Sequence, residues 1–451
     1  MFSAPTFADT KELETQAFFR SAMLRWFWQL YTQRLTVSGR WFLWSSLLFA
    51  SYGATSLESV QAFVPFSYAL SFWVLAFFGA LIFKPRLVLT TRHADRICAG
   101  EILQVDVEAE HRFGFAEKLW LSGMNFSVLP HRLPLAVDAQ ESPVALPAFV
   151  PGQAQKVRAK IGLFCKQRGM YRLKGYRVES DFPFGLLRSR RLFYEERTLL
   201  VYPQFRPLAQ FQMPKGRRHH PGGVALISSL GDSLEYLGNR EYREGDNFRN
   251  IDWRATARLN HPVVREYREE YFLRAAVILD THVPAEKGNA KTFFRKSNFA
   301  AHKNKLRAAF ERAVSVCASV SDYMARQDYL VDILAAGPNL YHLTAGRHLA
   351  YLDQILDILA CVEENPLEPF DLLEPEIMEN LSKINTVVCV FLDWNETRHA
   401  FVNNLREHGA GVRVIIVRDT LCTLDPVPDS AVLGHMPVIT EEVYEAGIDE
   451  I

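Results

Sequence analysis

The sequence has no surplus of either charge: 51 Lys+Arg stand against 51 Asp+Glu in 451 residues. A dedicated nucleic-acid binder gathers excess cations on one face, so this balance argues against nucleic acid as a partner. Cysteine is sparse and scattered. The six, at 98, 165, 317, 361, 389 and 422, form no Cys-x-x-Cys and complete no zinc tetrahedron with histidine. Cys165, Cys317, Cys361 and Cys389 sit in apolar stretches and read as small buried hydrophobes in a reducing compartment. There is no Gly-x-Gly-x-x-Gly and no Walker run, so Gly238 and Gly245 do not make a phosphate-cradling loop. Nucleotide hydrolysis by this chain is not expected, and no cofactor is implied.

The largest gap is in local charge. From Trp41 to Phe83 there is no Lys or Arg and a single acid, Glu58, in a chain that is 23% charged. The stretch is long enough for two transmembrane helices within 41–83, turning at Ser56-Leu57-Glu58-Ser59. Arg25, Arg34 and Arg40 precede it and Lys84, Arg86, Arg92 and Arg96 follow, while the turn carries no cation. The positive-inside rule then puts both ends and the soluble body on the cytoplasmic side, with the lipid bilayer as a partner. Trp41 and Trp44 suit the aromatic belt. A cleaved signal peptide would begin its apolar run earlier and carry only one. In the segment 1–40, apolar Phe18, Phe19, Met23, Leu24, Trp26, Phe27, Leu30 and Tyr31 alternate with polar residues. That pattern fits an interfacial helix or a buried helix of the body.

The rest is too long for one core. From Leu103 to Glu110 and again from Val157 to Leu163, apolar and polar residues alternate with the period of half-buried strands. An all-β, sandwich-like domain is predicted over 87–205. Beyond it, Ala275–Asp280, Tyr329–Ala335, Thr386–Asp393 and Val412–Val417 read as strands buried on both faces. Helical patterns through Leu306 to Met324, Leu349 to Leu359 and Phe401 to Leu405 separate them, Gly409 ending the last. That alternation predicts an α/β, doubly wound domain over 271–420. A linker, 206–270, joins the two, and 421–451 reads as a peripheral acidic tail.

The linker contains a dense run: Arg240-Glu241-Tyr242, Gly245-Asp246, Arg249-Asn250-Ile251-Asp252-Trp253-Arg254 and Ala257-Arg258. It resembles the signature of the domain of unknown function 58 family, which precedes a fold similar to the von Willebrand factor type A domain. Arg168-Gly169-Met170-Tyr171, Asp181-Phe182-Pro183-Phe184-Gly185-Leu186 and Val201-Tyr202-Pro203 look like that family's β-domain. With the two-span N-terminus, the resemblance covers most of the chain. It implies a multi-pass protein of the bacterial inner (plasma) membrane. Its implied partner is a MoxR-type AAA+ ATPase, which would supply the nucleotide hydrolysis absent here.

Asp246, Asp252, Arg249, Arg254 and Arg258 could bind phosphate or position a water. The competing reading is a hydrogen-bonded ion network fixing the junction between sandwich and sheet, with Gly245-Asp246 as a turn and Trp253 packed beneath it, and this is favoured because no nucleophile is adjacent. Von Willebrand type A domains often bind a divalent metal through Asp-x-Ser-x-Ser. Here Asp280 is present but His282 and Pro284 replace the serines, so the site is degenerate even with Asp393 at a neighbouring strand end. Six cations between Ala285 and Lys305 read as a solvated loop, with an acidic partner or anionic lipid as the alternative. His219-His220 has linker composition. The expectation is a membrane-anchored, non-catalytic interaction or assembly module. The alternative is a metal-dependent hydrolase built on Asp246, Asp252 and Asp280.

Overall fold

The computed structural model describes residues 28, 31–55, 60–111, 125–140, 142–147, 156–214, 224–225, 234–244, 246, 248–269, 271–272, 274–284, 296–327, 329–336, 340–344, 349–381 and 384–448. Within this range the chain forms two compact units, Met1–Tyr202 and Pro203–Ile451. The turn Ser56–Ser59, Gly245, His219-His220 and most of the proposed interfacial helix lie outside the described residues.

The first unit opens with helices α1 (Val37–Thr55) and α2 (Val64–Ile82), the second entered through a 3-10 turn at Val60–Phe63. They pack through Phe42, whose ring lies 5.6 Å from Phe72 and 5.7 Å from Trp73, and Trp73 Nε1 donates to Ser46 Oγ at 3.3 Å. Among the described residues, one helix, α2, is long and apolar enough to cross a membrane. The expected pair of spanning helices is therefore not carried by composition alone. α1 has the same length but includes Arg40, four serine or threonine residues besides Ser38, and two glycines. Both helices are apolar outward, with Trp41, Trp44, Leu48, Leu75, Phe78 and Ile82 exposed.

The sandwich has strands β1 (Leu87–Arg92), β2 (Arg96–Cys98), β3 (Ile102–His111), β4 (Phe126–Pro130), β5 (Val137–Ala139), β6 (Val144–Ala145), β7 (Lys156–Cys165), β8 (Gly169–Ser180) and β9 (Ser189–Tyr202). They form two sheets, ordered β1-β3-β7-β5 and β2-β9-β8-β4-β6. The inward residues of the alternating strands, Leu103, Val105, Val107, Ile161 and Leu163, meet Val128, Val178, Leu199 and Val201 of the facing sheet in one core. Each fully buried aliphatic there contributes about 1.5–3 kcal/mol.

The turn between β8 and β9 ties helices to sandwich. Thr36 donates its amide to the Leu186 carbonyl at 3.1 Å and its hydroxyl to the Gly185 carbonyl, and Arg188 N donates to the Arg34 carbonyl at 2.7 Å. Phe184 packs on Phe72 and Phe182 on Phe83, with ring centroids 4.9 and 5.0 Å apart. A Cβ on Gly79 would come within 2.9 Å of Pro183, and one on Gly39 would overlap the Leu186 carbonyl. The Asp181–Leu186 run is thus a joint whose fit requires two glycines on the helices.

The second unit contains the short pair β10 (Val224–Ala225) with β13 (Tyr271–Phe272) and the hairpin β11 (Leu234–Glu241) with β12 (Val263–Glu269). Strands β14 (Arg274–Leu279), β15 (Leu330–Ala336), β16 (Leu340–Thr344), β17 (Thr386–Phe391), β18 (Gly411–Val417) and β19 (Val438–Ile439) make a six-stranded sheet. Its order is β16-β15-β14-β17-β18-β19, parallel except for β16. Helices α3 (Trp253–Leu259), α4 (Lys296–Arg326), α5 (Leu349–Cys361), α6 (Phe370–Asn380), α7 (Glu396–Glu407), α8 (Val427–Leu433) and α9 (Glu441–Ala446) complete the unit. Alternate sheet residues Ile278, Val387, Cys389, Val414 and Ile416 share a core with α6 and α7. The residues between them point the other way, where α4 packs on β14, β15, β17 and β18. The sheet is open, mostly parallel and covered on both faces.

Three expectations need correction. The stretch 206–270 is not merely a linker: Leu208 and Phe211 are buried, Arg326 donates to the Leu208 carbonyl at 3.0 Å, and the hairpin β11–β12 is folded structure. The stretch 421–451 is not peripheral, because it supplies edge strand β19 and α8 and α9. The cationic loop 285–305 becomes helix at Lys296, and the remainder falls outside the described residues.

Candidate functional site

Two places collect the residues singled out by sequence. The first is the hairpin. Arg240, at the end of β11, grips Asp246 bidentately, Nη1 and Nη2 each 2.7 Å from a carboxylate oxygen, and the Arg243 amide adds a bond at 2.8 Å. The Arg240 guanidinium, with the Arg243 amide, pulls the Asp246 carboxyl down to about 2. Asp252 is the N-cap of α3, accepting from the amides of Arg254 and Ala255 at 3.1 and 3.0 Å. Its other oxygen takes Arg265 Nε at 3.3 Å and Asn239 Nδ2 at 3.5 Å. The Ala255 amide leads, with Arg265, in holding this carboxyl below its ordinary value against some desolvation.

Beneath α3, Ile251, Val263 and Val264 are buried, the Asp252 amide reaches the Val263 carbonyl at 2.9 Å, and the Val263 amide reaches Thr256 Oγ1 at 3.1 Å. Asn260 ends the helix with φ +62°, the left-handed stop that asparagine tolerates. The ion pairs at the two carboxylates are Arg240–Asp246 and Arg265–Asp252, neither using the side chains of Arg254 and Arg258 singled out from sequence, and both lie at the surface of the hairpin. Trp253 is not packed beneath them; Trp253 is 69% exposed, and Phe248, stacked on Tyr242 at 5.9 Å, is 70% exposed. Arg249, Arg254, Ala257 and Arg258 are exposed as well, and Glu241 points into solvent. Hydrogen bonds to the amide ladder of α3 and to β12, not burial, fix Asp252.

The second place is the carboxyl edge of the sheet. The chain leaves β14 toward one edge and returns through β17 toward the other, so the crevice between these strands is where open α/β sheets take ligands. Asp280 follows β14 there and is fully buried. Its Oδ2 accepts from Arg398 Nη2 at 2.6 Å, from Arg398 Nε at 2.9 Å and from the Leu392 amide at 3.0 Å, while Oδ1 takes the His282 amide at 2.9 Å. Arg398, 2% exposed, also lies over the Phe370 ring at 5.3 Å. Asp393 binds Arg418 Nη1 at 2.6 Å, the Thr423 hydroxyl at 2.6 Å and the amides of Thr423 and Trp394. Burial raises its pKa, but Thr423 and Arg418 outweigh that and the net shift is downward.

Asp280 and Asp393 thus both stand at the expected edge, each occupied by an arginine. Asp246, Asp252 and Asp280 have separate sets of donors rather than a shared cleft. Among the described residues no group of three or more His, Cys, Asp or Glu is placed to hold a metal ion. Sequence reasoning missed Arg398 and Arg418. Arg398 had a signal: with Phe401, Val402 and Leu405 it falls at i, i+3, i+4 and i+7, an arginine on the buried stripe of α7.

Residues 238–339 match the family model described as protein of unknown function DUF58. The match starts in β11, spans Asp246, Asp252 and Asp280, and extends just beyond β15. The chain is also similar to the uncharacterized protein YeaD of Bacillus subtilis (strain 168), at 22% identity over 361 residues, covering 77% of this chain and 79% of that protein. Among solved structures, the cohesin module of a family 33 glycoside hydrolase from Clostridium perfringens aligns with 26% of this chain and 98% of its own, at 11% identity and a TM-score of 0.14. That likeness is too slight to carry an argument.

Proposed function

We propose that this chain is a membrane-anchored, non-catalytic interaction or assembly module. One observation carries the reading: the carboxylate at the ligand-binding crevice of the sheet is already filled by the Arg398 guanidinium and by amides. A hydrolase built on Asp246, Asp252 and Asp280 would need a carboxylate able to take a proton or a metal. Each of the three instead serves an arginine or a helix end.

In this reading α2 crosses the bilayer, α1 crosses beside it in the opposite sense, and both ends of the pair face the cytoplasm. The outward apolar side chains of both helices and the cations flanking 41–83 support that topology. The second unit is read as von Willebrand factor type A-like, supported by its strand order and by the hairpin that precedes it. The partner proposed from the family resemblance is a MoxR-type AAA+ ATPase.

Affinity capture from detergent-solubilised membranes tests the function, with co-purification of an AAA+ ATPase as the expected result. Capture of no protein overturns the module reading. Reporter fusions test the anchor: one at Ser59 reports the external side and one after Arg86 the cytoplasm, and the same side for both rejects the hairpin.

A further inference from the structure

The hairpin's own packing leaves one side of α3 unused. At 100° per residue, Trp253, Ala257, Arg254 and Arg258 follow one another around the helix, and all four are exposed. Ala255 and Thr256, on the opposite side, are half-buried above Val263. A large exposed aromatic beside two guanidinium groups has the composition of an interface hot spot.

Among the described residues, no ion pair reaches the guanidinium of Arg254 or Arg258. No acid occurs from Trp253 to Leu259. Asp252, at the start of the helix, is held by the Arg254 and Ala255 amides and Arg265, and Asp246 by Arg240. Every Lys-or-Arg position from 239 to 268 is arginine. A diffuse anionic surface is served as well by lysine, whereas the planar fork of arginine matches a carboxylate in two parallel bonds.

We infer that this face docks an acidic segment of another protein, with Trp253 seated against an apolar side chain and Arg254 and Arg258 forked onto carboxylates. The inference rests on the interaction-module reading and names its surface.

Photo-crosslinking of the full chain in cells, from p-benzoylphenylalanine at position 257, tests it, alongside tag capture from solubilised membranes. The expected adduct lies in an Asp- or Glu-rich segment of a protein that also co-purifies. Arg254→Glu with Arg258→Glu should cut its yield about tenfold, and reversing the mapped acids to lysine should restore it. Thermal melting of the variant checks its fold, and Arg254→Gln with Arg258→Gln replaces it if the reversal unfolds the unit. An adduct on lipid, on a second copy or on a segment without acids overturns the proposal, as does no adduct. Loss of binding to phosphatidylglycerol vesicles in the variant, with no protein adduct, assigns the face to the bilayer instead. A partner that co-purifies undiminished with the variant sinks the surface and leaves the module reading standing. A wild-type chain that captures nothing sinks both.

Discussion

Arg398 reaches back from α7 to put two nitrogens on one oxygen of Asp280, at 2.6 and 2.9 Å, and neither side chain is more than 2% exposed. The pair bridges β14 and α7 across the crevice between β14 and β17. Removing one partner leaves a bare buried charge, which costs far more than the pair contributes relative to an apolar substitute. Asp280→Ala should therefore destabilise the second unit by about 3–5 kcal/mol, and a joint Asp280→Leu, Arg398→Met replacement should recover much of the loss. Urea unfolding of the three proteins checks this. A single variant as stable as wild type would remove the pair from the core's energetics.

The same geometry governs divalent ions. A magnesium or manganese ion at this edge would have to displace a guanidinium, so neither should raise the melting temperature. A native-state ligand at a hundred times its dissociation constant would stabilise by about 2.7 kcal/mol. A saturable rise would make Asp280 and Asp393 ligands.

At Asp252 the expected change is local. Asp252→Ala removes the cap of α3 and frees Arg265, but it strands no buried charge. Amide hydrogen exchange should quicken at Arg254 and Ala255 while the sheet stays protected, and Asp252→Asn, which can still accept the amides, should exchange more slowly than the alanine variant. Global unfolding in Asp252→Ala would contradict the surface position of the network.

Asp246 provides the pH test. Its carboxyl falls from 3.8 to about 2 under the Arg240 clasp. A depressed acid contributes stability that is complete above its free value and is lost as pH falls through its folded one. The clasp should persist to pH near 3, and a carbon-detected NMR titration of Asp246 Cγ should centre near 2. With Arg240→Gln the midpoint should move back up.

Much of this architecture was legible in the sequence because it is written in periodicity. The alternation at Leu103–Glu110 became β3, and the doubly buried runs became β14, β15, β17 and β18. What was not legible depends on tertiary partners. Val438 and Ile439 make a strand only because β18 offers an edge, and two residues carry no period. Trp253 looks like a core residue by composition; only the cap at Asp252 and the apolar seat of Ile251, Val263 and Val264 orient α3 so that it faces outward. The engagement of Asp280 was hidden because its partner lies more than a hundred residues downstream.

Gly39 and Gly79 give the helix pair its seat on the Asp181–Leu186 turn. Gly39→Val would drive a methyl-bearing carbon into the Leu186 carbonyl, and protease should then cut at the turn or the α1 entry, where wild type resists. If cleavage is unchanged, the seat is dispensable.

A joint of this kind also has a mechanical meaning. A slack tether lets a load on the sandwich dissipate as reorientation. Here the turn is keyed to α2 and its C-terminal end through Phe184 and Phe182, to α1 through the close approach of Gly39 to the Leu186 carbonyl, and to the segment ahead of α1 through Thr36. Twisting the sandwich therefore delivers torque to α1 and α2, and a pull on it tilts the pair as one lever.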